Sequence, residues 1–352
     1  MLRQVTEKNS TFSRMRNVRD IGIIGLGKMG VLHGGIVNAL PNCRVKAVCE
    51  KEKFIVKMAQ KVLPKEVSFY EDCTSMIENE TLEAAFITTS IKQHVPVIVE
   101  LAEANAHVSL FVEKPLAESA NSARLACEAA AKLRGVHMVG FQKRYSPIYQ
   151  HAKKLIEDEA IGDLMFFRAH SYSSDVLREG KSWRFKEGSG GVLLDLAPHL
   201  LDLLVWFFGD IESISAIRRS LYSKEVEDYA HASFVFKSTL TGQMDACWSV
   251  RGFRLPEILI EIYGKNGNII LSDDMIKTEL AESVGNRESE MLYKQSFDNS
   301  VPFLLDQPEY TKEDMSFLDC SSRGSTPVPD FFEAAKVNTL IERITEAAED
   351  KL

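Results

Sequence analysis

The segment Ile21-Gly22-Ile23-Ile24-Gly25-Leu26-Gly27-Lys28-Met29-Gly30 runs an apolar, β-branched stretch into G-x-G-x-x-G and then into helical spacing. This arrangement cradles a pyrophosphate. Gly25 permits the tight turn, Gly27 lets backbone approach phosphate, Gly30 lets helix and strand pack closely, and the helix N-terminus at Lys28 and Met29 offers free N–H groups. Glu50 follows Gly30 by twenty residues, at the end of the next apolar run. A carboxylate there accepts hydrogen bonds from the adenosine ribose hydroxyls and repels a 2′-phosphate. The spacing predicts NAD in preference to NADP; Lys51 and Lys53 would favour NADP only if Glu50 turned away. Lys114 follows another apolar run and precedes Pro115, which puts an ammonium at the carboxyl end of a parallel strand, the edge where open α/β sheets bind ligands. Asp195 and His199 are four residues apart and share a face if their segment is helical. If a bound nicotinamide takes a hydride from an alcohol carbon, a neutral imidazole suits removal of the hydroxyl proton. That makes His199 a candidate base, Asp195 a candidate to hold its ring or share the substrate hydroxyl, and Lys114 a candidate to stabilise charge on the same oxygen.

The elements that must position these residues fall into two regimes. From Arg19 to about Val139, strand-like runs (Asp20–Ile24, Arg44–Cys49, Ala84–Thr88, His107–Val112, His137–Phe141) alternate with helical patterns (Lys28–Leu40, Phe54–Val62, Val95–Glu103, Ala120–Leu133). Such alternation reads as a parallel sheet covered on both faces. From Tyr145 the pattern changes: a helix Pro147–Asp158, a strand Leu164–Ser173, a basic loop ending at Gly188, Gly190 and Gly191, and a long apolar helix Val192–Phe208. Pro198 predicts a helix start or a kink within it. Strand-like segments follow at Ile211–Arg218, Tyr229–Phe236, Gln243–Val250, Ile258–Tyr263 and Asn268–Leu271, with Gly264 to Gly267 suited to a hairpin. Residues 285–325 are polar and patternless, and Val328–Ala348 reads as a closing helix.

Composition narrows the function. At 352 residues the chain suggests two domains, and 45% hydrophobic with 26% charged residues is an ordinary globular balance. Lys plus Arg is 42 against 50 Asp plus Glu, a net charge of −8, which argues against a nucleic-acid partner. Six cysteines lie far apart without a C-x-x-C pair, and the histidines have no metal-ligand spacing, so neither a zinc site nor a disulfide scaffold is expected. The most apolar segment, Leu200 to Phe208, is interrupted by Asp202, and no membrane span is expected. The first 17 residues carry Arg3, Lys8, Arg14 and Arg16 against Glu7 and read as a frayed extension, with the cytoplasm as the default location.

Further segments resemble the Gfo/Idh/MocA family of sugar and inositol oxidoreductases. Thr88-Thr89-Ser90 followed by His94 resembles the family's Thr-Pro-Asn…His segment beside the cofactor. Glu113-Lys114-Pro115 matches its Glu-Lys-Pro motif, and Gly140-Phe141-Gln142-Lys143-Arg144-Tyr145 resembles the stretch that crosses into the second domain. Trp183-Arg184 and Gly190-Gly191-Val192-Leu193-Leu194-Asp195-Leu196-Ala197-Pro198-His199-Leu200-Leu201-Asp202 resemble its Gly-Gly…Asp…His…Asp signature. Ala197 stands where the family usually has Gly, Ser189 interrupts a usual triple Gly, and Thr89-Ser90 replaces Pro-Asn. Position alone leaves a solvated lysine and a satisfied core histidine open as readings of Lys114 and His199; these surroundings favour the functional ones. The resemblance implies the same three roles for Lys114, Asp195 and His199, and a cis Lys114–Pro115 bond. It implies cofactor contacts at Thr88, Thr89, Ser90, His94, Glu113, Lys114 and Gln142, and substrate contacts at Lys114, Arg144, Asp195 and His199. Tyr172 and Trp183 read either as stacking partners for a sugar ring or as core, and Arg184, in a basic loop with Arg178, Lys181 and Lys186, either as a contact for an anionic substrate group or as part of a solvated face.

The expected fold is α/β: a doubly wound Rossmann domain at 19–142 after an extension at 1–18, an α+β domain with a large, mostly antiparallel, open-faced sheet at 143–326, and a C-terminal helix at 327–352. The expected activity is NAD-dependent oxidoreduction at a secondary hydroxyl of a sugar, inositol or sugar derivative. The alternatives are an NAD-assisted glycosidase of the same family and a non-catalytic dinucleotide-sensing regulator. An open sheet face predicts a homodimer or homotetramer.

Overall fold

The computed structural model describes residues 18–180, 190–281, 287–294 and 308–350. Six parallel strands form the first sheet: β1 (Arg19–Ile24), β2 (Cys43–Cys49), β3 (Ser68–Tyr70), β4 (Ala84–Ile87), β5 (Ser109–Glu113) and β6 (His137–Gly140), in the order β3-β2-β1-β4-β5-β6. Helices α1 (Lys28–Ala39), α2 (Lys53–Ala59), α3 (Cys73–Asn79), α4 (Ile91–Glu103) and α5 (Ala120–Ala130) make the crossovers. Every residue of β4 and β5 is buried, which is why these strands read as continuous apolar runs. The strand order reverses between β1 and β4, and the crevice this opens lies at their carboxyl ends. Two elements escape the sequence pattern. β3 has only three residues, too few for a period to show, and α3 is announced chiefly by Asp72, whose side chain accepts from the Ser75 N–H at 2.7 Å.

The second sheet contains β7 (Leu164–Tyr172), β8 (Ile211–Arg219), β9 (Tyr229–Phe236), β10 (Thr241–Cys247), β11 (Glu257–Gly264), β12 (Gly267–Ser272), β13 (Met275–Ala281), β14 (Arg287–Tyr293) and β15 (Ala348–Asp350). Their order is β14-β13-β12-β11-β7-β10-β9-β8-β15. Pairing is antiparallel except between β7 and β10 and between β8 and β15. Strands β9 and β11 alternate strictly between buried and half-exposed residues, so Phe234, Phe236, Ile260 and Ile262 enter the core while their neighbours face outward. Helices α6 (Pro147–Glu157), α8 (Pro198–Phe208) and α10 (Phe331–Ala347) pack on the inner side.

The segment expected as one helix, Val192–Phe208, is two: α7 (Val192–Asp195) and α8, which starts with Pro198 in its first turn. A prolyl nitrogen has no proton for the Leu194 carbonyl and its ring crowds the preceding turn, so the helix cannot run through. The patternless region holds β14 and α9 (Pro308–Arg323), and β13 lies just before it. This helix returns to the first sheet, where Phe317 and Leu318 join the core of Phe86, Phe111 and Met138. The closing helix begins later than its pattern suggests, after Asp330, whose side chain accepts from the Glu333 N–H at 2.8 Å.

Arg144, expected at the substrate, is instead a buried clamp. Its Nε and Nη2 donate to the two carboxylate oxygens of Asp202 at 2.8 and 2.7 Å, and Nη1 donates to Glu333 at 3.0 Å. Asp202 belongs to α8 and Glu333 to α10, so one planar guanidinium joins the crossover turn Gln142–Tyr145 to both helices. Arg144→Met leaves the Asp202 carboxylate buried and unpaired and should cost about 3–5 kcal/mol; a urea titration should show a lowered midpoint at an unchanged slope.

Candidate active site

The cleft lies between the carboxyl edge of the first sheet and the break between α7 and α8, with a volume near 490 Å³. Lys28, Met29, Thr88, Thr89, His94 and Glu113 line its dinucleotide side. Lys114, Gln142, Asp195 and His199 line its centre, with Lys143, Asp175, Asp273 and Tyr310 also on the wall.

The glycine turn fits a dinucleotide. Gly25 has φ +90°, a conformation that favours glycine. A side chain at Gly30 would put its first carbon 2.1 Å from the Gly25 carbonyl oxygen, so helix and loop can meet only through glycine. At Gly27 the same added carbon would meet nothing within 4 Å, and this is the open space over which phosphates can approach backbone N–H groups. Glu50 braces the loop: its Oε2 accepts from the Leu26 N–H at 2.7 Å and its Oε1 from the Glu52 N–H at 2.9 Å. Thr88 closes the other side, donating to the Gly25 carbonyl at 2.6 Å.

His94 is fully buried as a strut, with Nδ1 3.0 Å from the Pro115 carbonyl oxygen and Nε2 3.2 Å from that of Thr89. Burial holds its pKa below the ordinary value despite those carbonyls. Ser90 is the exposed residue preceding α4, next to Thr89 and Ile91 of the cleft wall. Its place at the start of a surface helix turns it to solvent.

Lys114 follows β5, and its bond to Pro115 is cis. Its Nζ donates to the backbone carbonyl of Asp195 at 2.9 Å. The Asp195–His199 pair departs from the continuous-helix picture, because the break at Leu196 and Ala197 lies between them. Nδ1 of His199 is buried without a hydrogen-bond partner, so the Asp195 carboxylate does not hold the ring at that nitrogen. Burial first, and then the ammonium groups of Lys114 and Lys143, depress the His199 pKa well below 6.5. The imidazole is therefore neutral at neutral pH and able to accept a proton.

Gly190 and Gly191 explain how the chain enters α7. Gly190 has φ +67°. A side chain at Gly191 would collide with the Glu227 carboxylate at 2.3 Å, and that carboxylate accepts from the Leu193 N–H at 3.0 Å.

Two expected substrate residues, Trp183 and Arg184, lie outside the described residues, as do Lys181, Lys186 and Gly188. Tyr172 is a correction. On β7 the odd member Ser171 lines the cleft, and the two-residue period sends Tyr172 to the opposite face, where it stacks on His170 at 4.1 Å. Sequence reasoning missed the Lys143–Asp273 ion pair. Lys143 was visible beside Gln142, but Asp273 arrives from the β12–β13 turn and only the fold brings it there. Tyr149 donates to the same carboxylate at 2.9 Å.

Residues 19–141 match the oxidoreductase family with an NAD-binding Rossmann fold, and residues 149–270 match the GFO/IDH/MocA C-terminal domain. The chain is 27% identical over 294 residues to levoglucosan dehydrogenase of Pseudarthrobacter phenanthrenivorans, covering 73% of this chain and 74% of that protein. It is 25% identical over 315 residues to scyllo-inositol 2-dehydrogenase (NAD(+)) of Bacillus subtilis, covering 87% of each. A solved structure of levoglucosan dehydrogenase in complex with NADH and levoglucosan superposes with a TM-score of 0.83 at 24% identity, over 94% of this chain and 96% of that one. With both halves matched in order around a glycine turn built for a dinucleotide, the chain belongs to the Gfo/Idh/MocA family of NAD-binding oxidoreductases.

Proposed function

We propose that this NAD-dependent oxidoreductase interconverts a secondary alcohol and a ketone on a neutral sugar or cyclitol. Residues 19–142, with α9 packed on them, carry the dinucleotide, and the second sheet with α6, α7 and α8 supplies the substrate face. The observation that carries this reading is the convergence of Lys114, Asp195 and His199 on one cleft beside the glycine turn. Among the described residues the charged lining is balanced, which suits an uncharged polyol: Lys28, Lys114 and Lys143 stand against Glu113, Asp175, Asp195 and Asp273, and Lys143 is paired with Asp273. The relatives named for levoglucosan and scyllo-inositol support the same class.

NAD, when bound, supplies the two-electron acceptor. His199 takes the hydroxyl proton, its depressed pKa keeping the imidazole free to do so. Lys114 places an ammonium against the same oxygen and stabilises the charge that develops there, or polarises the carbonyl in the reverse direction. The Asp195 carbonyl aims that ammonium, and Asp195 itself lines the cleft where substrate hydroxyls bind.

We further propose that a second copy covers the outer face of the large sheet. Phe166, Tyr172, Tyr229 and Tyr263 present aromatic surface there, Phe166 stacked on Tyr263 at 4.6 Å, and such residues are enriched at interfaces. Among the described residues no helix is long and apolar enough to cross a membrane.

The deciding experiment is a panel of sugars, inositols and their derivatives, followed at the absorbance of reduced nicotinamide. Lys114→Met and His199→Ala should each lower kcat by about 10²–10⁴ while NADH affinity stays near wild type; near-full turnover in a folded variant would remove that residue from the mechanism. Fluorescence titration should show NADH bound about tenfold or more tighter than NADPH, with Glu50→Gln narrowing the gap. Light scattering should give a multiple of the 39.5 kDa chain mass; a monomer at micromolar concentration would refute the covered face.

A further inference from the structure

His33 belongs to none of the contacts derived above, yet it sits within the dinucleotide helix α1 with no exposed surface. Its Nε2 is 3.0 Å from Oε1 of Glu113, and its Nδ1 is 2.9 and 3.0 Å from the two oxygens of Asp314. A neutral imidazole has one N–H and can donate to only one of these carboxylates, whereas an imidazolium donates to both. The other oxygen of Glu113, Oε2, accepts from the backbone N–H of Lys114 at 3.0 Å. One hydrogen-bonded chain therefore runs from α9 through the core of the first sheet to the turn that carries Lys114.

We infer that His33 is a positioning residue for Lys114: clamped between Asp314 and Glu113, it fixes the Glu113 side chain and through it the turn from which the ammonium enters the cleft. The ring cannot drift, because Phe86 and Phe111 lie 5.4 and 4.9 Å away and Tyr310 meets it edge-on at 6.0 Å. Burial pulls the imidazole down, but the charge and hydrogen bond of Asp314, followed by Glu113, outweigh it and push the pKa up to about 10. The remaining groups facing the ring add little competing charge. Burial pushes the Glu313 carboxyl well above its ordinary value, toward its uncharged form, and burial likewise raises the Tyr310 hydroxyl. With the folded value above the ordinary 6.5, the stability His33 contributes is complete below about pH 6.5 and is lost as pH rises through about 10.

The inference rests on Lys114 acting at the reacting centre, and the test separates the two. Hydrogen exchange on the full chain needs no substrate. In His33→Gln and in the isosteric Asp314→Asn, exchange at the Lys114 amide should accelerate by about tenfold or more while Leu110 to Val112 of β5 stay within about twofold. With the polyol found in the panel, His33→Gln should lower kcat about tenfold in the wild-type background and less than about twofold in the Lys114→Met background. NADH titrations should stay within about threefold throughout. Unchanged exchange at Lys114, uniform acceleration along β5, or the same loss of kcat in both backgrounds overturns the proposal. Asp314→Asn carries the test if His33→Gln yields no folded protein. Full turnover in Lys114→Met would instead overturn the catalytic reading and leave the exchange result to decide the positioning.

Discussion

The contact on which the site depends is the bond from Lys114 Nζ to the Asp195 carbonyl. It exists because a helix fails. A carbonyl in the last turn of a helix has lost its intrahelical donor and must be satisfied from elsewhere. Pro198 ends α7 early and starts α8 anew, so the Asp195 carbonyl is free to face the first sheet, where the lysine after β5 reaches it. Two halves of different architecture thus meet at one charge-assisted hydrogen bond, and His199, in the first turn of α8, stands on the other side of the same break.

Around this junction the fold handles buried charge by tying distant chain segments together. Arg144 binds Asp202 of α8 and Glu333 of α10, and His33 of α1 binds Glu113 of β5 and Asp314 of α9. In each case a buried cation with more than one donor satisfies two carboxylates. Removing one partner of such a set leaves an uncompensated charge, which is costly away from water. The last two long helices are therefore braces for the cleft: α9 reaches back to the dinucleotide side and α10 lies against α5, α8 and β8.

The electrostatics of the cleft follow from these same placements. Two ammoniums and burial hold His199 neutral, and no carboxylate sits on its buried Nδ1. The aspartate four residues earlier does not hold that ring at Nδ1, while its backbone carbonyl holds the Lys114 ammonium. Lys143, restrained by Asp273, whose carboxylate also accepts from Tyr149, adds a second positive charge beside the base.

The sequence by itself determined the dinucleotide turn, the position of Glu50 at its edge, the parallel first sheet, the alternating strands of the second and the break at Pro198. All of these depend on local periods, on glycine φ freedom or on the missing prolyl N–H, which short segments encode without help. It also singled out Lys114, Asp195 and His199 by residue type and setting. What only the tertiary structure decided is which polar groups meet. Arg144 and Lys143 are adjacent in sequence, yet one is a buried clamp and the other lines the cleft, because their partners Asp202, Glu333 and Asp273 arrive from elsewhere in the chain. Tyr172 and Ser171 take opposite faces, and which face became the cleft depended on where α8 packed. The His33 chain was equally invisible, since 80 residues separate it from Glu113 and 281 from Asp314. A buried charge is placed by whichever opposite charge the fold brings within about 3 Å, and no local pattern records that distance.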